Sequence, residues 1–234
     1  PAPWYAHQRI AARNFMPNFY SLGDLATQTS LVPVVAAGAV GVVRFRHLSP
    51  PLRCLVAVVI AALLVELVSR VLAARQQPNL FLAYIDTLVE FGLLAWLYRL
   101  ALRPSAVSRW LPAVVGVFSL SSLLPYLRPA DLMEFNSVQR LVESLLVLGL
   151  VLLYFHKILR ELLVVRLLRE PLFLISVGLL VYFSGNVFIF ISSNYVVRHS
   201  PALSLRLWAI HGLLYTVLNS LYAVALWISP STRK

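Results

Sequence analysis

Charge is scarce in this chain. Asp, Glu, Lys and Arg make up 12% of its 234 residues, where a soluble domain carries about a quarter. With 60% hydrophobic residues, an ordinary water-soluble domain is excluded. Cysteine occurs once, at Cys54, which rules out an internal disulfide framework and a cysteine-based zinc site. Lysine occurs only at Lys157 and Lys234, at a span boundary and in the tail, so no span offers a Schiff-base lysine for retinal. Glycine-rich phosphate loops, nucleotide motifs and CxxC pairs are missing.

What is present is a series of apolar blocks rich in Leu, Val and Ala, each about 20 residues long, the length a helix needs to cross ~30 Å of hydrocarbon. They lack the alternation of a membrane barrel. Seven spans are expected, at roughly 25–43, 54–74, 80–101, 110–127, 138–156, 172–193 and 205–228. The fold class is therefore an all-α integral membrane protein, a bundle of seven transmembrane helices. Residues 1–20 read as a leader or an expression-derived extension, with a natural start at Met16. Residues 21–234 read as a single polytopic membrane domain, because no loop is large enough to fold alone. The 20 basic residues outnumber 9 acidic ones, but they are dispersed among short loops. That pattern reflects orientation in a lipid bilayer rather than nucleic-acid binding. The odd-numbered loops and the tail hold 12 Lys and Arg against 8 on the other side, which places the N-terminus outside and the C-terminus in the cytoplasm. The stretch HKILRELLVVRLLRE reads as a solvated surface connector, its charges forming no single face.

Against this apolar background the segment YIDTLVEF, residues 84–91, carries two acids. Asp86 and Glu90 lie about 40° apart around a helix and so share a face. A charge in hydrocarbon costs several kcal/mol, so that face should look into the bundle. Other polar residues fall at similar depth: Glu66 and Arg70, Arg140 and Glu143, then Tyr182, Ser184 and Asn186. His211, Tyr215 and Asn219 follow at four-residue spacing, along one helix stripe. Glu66–Arg70 and Arg140–Glu143 have the spacing of local ion pairs, which makes Arg70 and Arg140 structural candidates. Asp86 and Glu90 have no such neighbour in their own span. The ligand- or ion-binding candidates are thus Asp86, Glu90, Glu66, Glu143, Asn186, His211, Tyr215 and Asn219, around an interior cavity open to the outside. Their net negative charge calls for protons, a bound cation, a cationic ligand or a protonated His211.

Established membrane chemistries fit poorly. Seven-helix zinc hydrolases of the alkaline ceramidase and adiponectin receptor kinds need several histidines on inner spans, and His211 stands alone there. A carboxylate-rich metal site is chemically open, since hard cations take oxygen ligands. A rhomboid-like pairing of Ser184 with His211 lacks the fuller serine motif. The FIFISSNY run reads as interface and core aromatics. No cofactor is expected, and the balance leans away from an enzyme.

The blocks LSPPLRCLVAVVIAALLVELVSRVLA, LAYIDTLVEFGLLAWLY, FNSVQRLVESLLVLGLVLLYF, LVYFSGNVFIFISSNY and LWAIHGLLYTVLNSLYAVALW together resemble a group of small seven-helix bacterial membrane proteins with no established activity. The resemblance covers roughly residues 31–228 and implies a multi-pass protein of the bacterial inner membrane. It carries over no functional residue. The expected function is a sensory or receptor-like module that signals through a cytoplasmic or membrane protein partner, because the chain has no output domain. The alternatives are a small transporter or ion-translocating protein, an intramembrane enzyme, and a structural subunit of a larger membrane complex.

Overall fold

The computed structural model describes residues 31–77, 79, 81–123, 137–161, 167–199 and 201–230. Seven helices run through them: α1 (Leu31–Arg44), α2 (Pro50–Ala74), α3 (Phe81–Ala101), α4 (Ala106–Leu123), α5 (Ser137–Glu161), α6 (Pro171–His199) and α7 (Pro201–Ile228). Short 3₁₀ turns at Phe45–His47 and Leu167–Arg169 precede α2 and α6. There is no strand among the described residues. Helices α2 to α7 are long and apolar enough to cross a membrane. Helix α1, at 14 described residues, falls short, and the expected start of its span at residue 25 lies outside the described residues, as does the 1–20 segment. The protein is a helical multi-pass membrane protein, with six spanning-length helices among the described residues.

Several helices run a few residues beyond the expected spans. Pro50, Pro171 and Pro201 are the first residues of α2, α6 and α7, because a first-turn N–H has no intrahelical hydrogen bond to lose and proline's φ suits the position. Helix α5 runs on through His156, Lys157 and Arg160 to Glu161. The connector expected there is therefore helical as far as Glu161, with residues 162–166 outside the described set. Basic residues in a last turn complement the exposed carbonyls and helix dipole.

Side-chain contacts give the topology. Gly38 and Gly41 of α1 face Leu63 and Val56 of α2, so these two helices run antiparallel. Gly178 and Gly185 of α6 face Leu218 and Leu214 of α7 in the same sense. A Cβ at Gly41 would lie 2.7 Å from Val56, and one at Gly185 2.7 Å from Leu214. Glycine at these points is what lets the helix pairs approach so closely. Six helices close a ring in the order α1, α2, α3, α5, α6, α7 and back to α1. Helix α4 sits outside it against α3, joined through Phe91 and Phe118 with ring centroids 4.6 Å apart, and turns Trp110, Val117 and Leu120 outward.

The ring interior has two unlike halves. Toward the end where α1, α3, α5 and α7 terminate, it is filled by Leu55, Leu94, Leu97, Val151, Ile175, Leu179 and Leu226, all fully buried. The other half holds the polar side chains. At the apolar end, basic residues bind backbone carbonyls. Arg44 donates from Nη1 to Leu226 O at 3.0 Å and to Trp227 O, and from Nη2 to Ser229 O at 2.5 Å, closing the C-terminus of α7. Lys157 donates to Ala101 O at 3.1 Å and Arg103 O at 2.8 Å, closing α3. These groups answer the carbonyls that a helix end leaves unpaired. Arg44→Ala should lower unfolding free energy in detergent by about 1–3 kcal/mol, with Arg44→Lys recovering only part. Unchanged stability would remove the capping role.

Glu170 immediately precedes α6, and its carbonyl accepts from Phe173 and Leu174. Burial pushes this carboxyl above its ordinary value, outweighing the opposing pull of the Leu172 backbone. A folded-state value above the unfolded one means a stability contribution present at low pH and lost as pH rises through the folded value. The stability of Glu170→Gln relative to the parent should therefore rise between about pH 4 and pH 7. A flat difference across that range would contradict the burial effect.

Candidate functional site

Asp86 and Glu90, one turn apart on α3, meet Arg140 of α5. Arg140 donates from Nη1 to Glu90 Oε2 at 2.7 Å and to Glu143 Oε2 at 2.9 Å, and from Nη2 to Asp86 Oδ2. The planar guanidinium fork serves three carboxylates at once, which a lysine's point charge on one nitrogen would not do in this geometry. The group is largely out of solvent: Arg140 is 10% exposed at its side chain, Glu90 15%, Asp86 25% and Glu143 0%. Glu143 Oε1 is buried without a hydrogen-bond partner. Asp86 Oδ1 and Glu90 Oε1 take no part in the Arg140 bonds.

The facing wall comes from α6 and α7. Asn186 Nδ2 donates to Tyr182 O at 2.7 Å, which turns its Oδ1 toward His211 Nδ1 at 2.8 Å. The imidazole therefore carries its hydrogen on Nδ1 as donor, and in the neutral ring Nε2 holds the lone pair. Rings surround His211. The centroids of Trp208, Tyr182, Phe190 and Tyr215 lie 5.4, 5.7, 6.0 and 6.4 Å away, the last nearly parallel at 13°.

Between the walls is a cavity of about 250 Å³. Each of the six ring helices contributes to it, from Leu31 and Val34 of α1 through Val58, Val65 and Glu66 of α2 to Trp208, His211 and Tyr215 of α7. No described residue of α4 lines it. The cavity thus belongs to the ring. It exists because six helices close around small and polar side chains in one half and large apolar ones in the other.

Of the residues singled out in the sequence, Glu66, Asp86, Glu90, Arg140, His211 and Tyr215 all line this cavity. Glu143 sits behind Arg140, and Asn186 behind His211. Asn219 does not join them: it is buried and donates to Tyr215 O at 2.9 Å within its own helix. Arg70 pairs with Glu66 at 2.7 Å, with side chains 40% and 41% exposed, and such an exposed pair contributes about 0–1 kcal/mol. Arg140 is more than the local partner of Glu143 that spacing suggested, since it also bridges to α3 across 50 residues of sequence.

A hydroxyl or amide within a helix can satisfy itself on the carbonyl four residues back. Ser184 is exposed and donates to Leu180 O at 2.5 Å, while His211 bonds Asn186, so no serine–histidine dyad forms. The carboxylates do not converge as metal ligands either. Among the described residues no three His, Cys, Asp or Glu side chains gather at a metal-sized point, and a guanidinium already bridges the acids. Two walls of the cavity, Trp208 and Phe190, were not singled out beforehand. Trp208 was legible as the position three residues before His211 on the same stripe. Phe190 lies in FIFISSNY, whose Phe188 and Ile191 do face outward, whereas Phe190 is buried against His211.

Comparison with protein-family models, with curated proteins and with solved structures finds no match to this chain.

Arg140→Met would leave three carboxylates buried without their partner, and breaking a buried pair costs about 3–5 kcal/mol. Adding Asp86→Asn and Glu90→Gln to Arg140→Met should recover much of that loss in detergent unfolding experiments. A fully additive response would show that the three side chains do not act together.

Proposed function

We propose that this protein is a receptor-like membrane module, in which occupancy of the cavity by a ligand or ion shifts the helices and a cytoplasmic or membrane partner reads the shift. One observation carries the reading. The cavity sets charged and polar side chains into a mainly apolar lining and reaches all six ring helices, while the other half of the same ring is packed with fully buried apolar side chains. In that half the buried polar groups are hydroxyls such as those of Tyr98, Ser176 and Tyr222, with no buried charge among the described residues. Close-packed interiors transmit displacement rather than absorb it. The short connections at the apolar end, held by Arg44, Arg53 and Lys157 to backbone carbonyls, are where a partner would sense it. The reading takes the cavity to face outside and the apolar end to face the cytoplasm of a bacterial inner membrane, the orientation favoured by the basic residues.

A second reading, a small transporter or proton-translocating protein, rests on hydroxyls in the apolar half. Tyr98 OH and Ser176 Oγ are 2.8 Å apart, and the Tyr222 OH is buried without a partner. Ion flux through proteoliposomes would favour this reading over the first.

The receptor reading is tested by removing the cavity charge and looking far from it. Asp86→Asn with Glu90→Gln should alter amide hydrogen exchange not only along α3 and α5 near the cavity but also at the 45–49 or 102–105 connections. Changes confined to the cavity half would reject signal transmission through the bundle.

A further inference from the structure

The cavity combines three features that converge on one kind of occupant. The first is charge. Three carboxylates share a single guanidinium, so the cluster as an ionised set is two charges negative, inside a protein surrounded by hydrocarbon. Glu143 Oε1, behind Arg140, is fully buried with no hydrogen-bond partner. The second is the arrangement of what remains to be bonded. Asp86 Oδ1 and Glu90 Oε1 lie outside the Arg140 bonds on residues that line the cavity. His211, whose Nδ1–H is held by Asn186, adds the Nε2 lone pair on the opposite wall. All three are acceptors. The third is aromatic surface: Tyr182, Trp208 and Tyr215 line the same space, and ring faces attract a desolvated cation.

A bare metal ion fits less well, because no three His, Cys, Asp or Glu side chains meet at one point among the described residues. A hydrated anion is repelled. An ammonium group with N–H donors satisfies acceptors on both walls, and an apolar body attached to it has Val34, Val58 and Val65 to rest on. At about 250 Å³ the cavity lies just below the ~300–1,000 Å³ of drug-sized sites, so the occupant is small.

We infer that the cavity binds a small primary amine with an apolar or aryl body, its ammonium held between the Asp86–Glu90 carboxylates and His211 and flanked by the aromatic wall. This rests on the reading of the cavity as a ligand site and names the ligand class. Charge decides affinity, since a neutral molecule of the same shape leaves the surplus carboxylates uncompensated. Donor count decides selectivity, since a quaternary ammonium has no N–H to give the three acceptors.

The test uses the full chain in detergent or nanodiscs at fixed pH and ionic strength, with 2-phenylethylamine as probe and 2-phenylethanol and the N,N,N-trimethyl derivative as comparisons. The amine should raise Tm saturably, the alcohol should bind at least tenfold more weakly, and the trimethyl derivative should also be weaker. Asp86→Asn with Glu90→Gln should reduce amine affinity tenfold or more, as should His211→Phe to a lesser degree. No saturable shift with the amine, equal binding of the alcohol or the trimethyl derivative, or amine affinity unchanged in the double variant would each overturn the proposal. The comparison of the three probes needs no variant, so a variant that fails to fold does not protect the idea. No amine binding by the parent, alongside exchange changes in the double variant that still reach the 45–49 or 102–105 connections, would overturn the ligand class alone. Confinement of those exchange changes to the cavity half would instead overturn the receptor reading and leave amine binding standing.

Discussion

Arg140 holds three carboxylates from two helices, and most of the polar architecture follows from that choice. A lone carboxylate in the bilayer interior is costly enough to be avoided or protonated. Around a guanidinium that gives one hydrogen bond to each, Asp86, Glu90 and Glu143 sit within one hydrogen-bonded group. This ties α3 to α5 at the polar end of the bundle, while Lys157 ties the same two helices at the other by reaching the last carbonyls of α3. Between these fastenings the contact is apolar apart from hydroxyls. The helix pair is thus pinned at both ends by directional bonds and filled between them by packing, which supplies attraction without register.

The ring of six helices turns that pair into a container. Close approach of α1 to α2 and of α6 to α7 is permitted by Gly41 and Gly185, and α1 is drawn against α7 by Arg44. The basic residues at this end supply donors to helix C-termini that have run out of backbone partners. Helix α4 is outside the ring and contributes packing to α3 through Phe118 alone among its larger aromatics, leaving Trp110 directed away from the bundle.

His211 shows how a polar group can be held in an apolar bundle without being consumed. Asn186 uses its amide nitrogen on its own helix and its oxygen on the histidine, so one ring nitrogen is fixed on a residue that lines the cavity. Four aromatic neighbours limit the ring's motion. By contrast, Ser184, Ser192, Thr216 and Asn219 close onto carbonyls of their own helices and leave little for chemistry. Polar identity at a given depth is therefore a poor guide to function. What matters is whether the helix itself absorbs the hydrogen bond.

The sequence by itself determined the helical membrane class, the positions of the spans to within a few residues, and the depth at which charge gathers, because apolar length and i,i+4 spacing are local properties of one chain segment. It also brought Asp86 and Glu90 onto one face and His211 and Tyr215 onto one stripe. It did not determine that Arg140 serves both acids of α3, since that bond spans 50 residues and depends on how α3 and α5 are set side by side. Spacing within α5 pointed to Glu143 as its partner, and that bond exists too, but only as one of three. Nor could it show that Asn219 and Ser184 are absorbed by their own helices, that Phe190 turns inward beside outward Phe188, or that α4 is left out of the ring. Those outcomes rest on helix rotation and neighbour order, which are set by close packing at residues such as Gly41 and Gly185 and by side chains that find their partners only after the helices assemble.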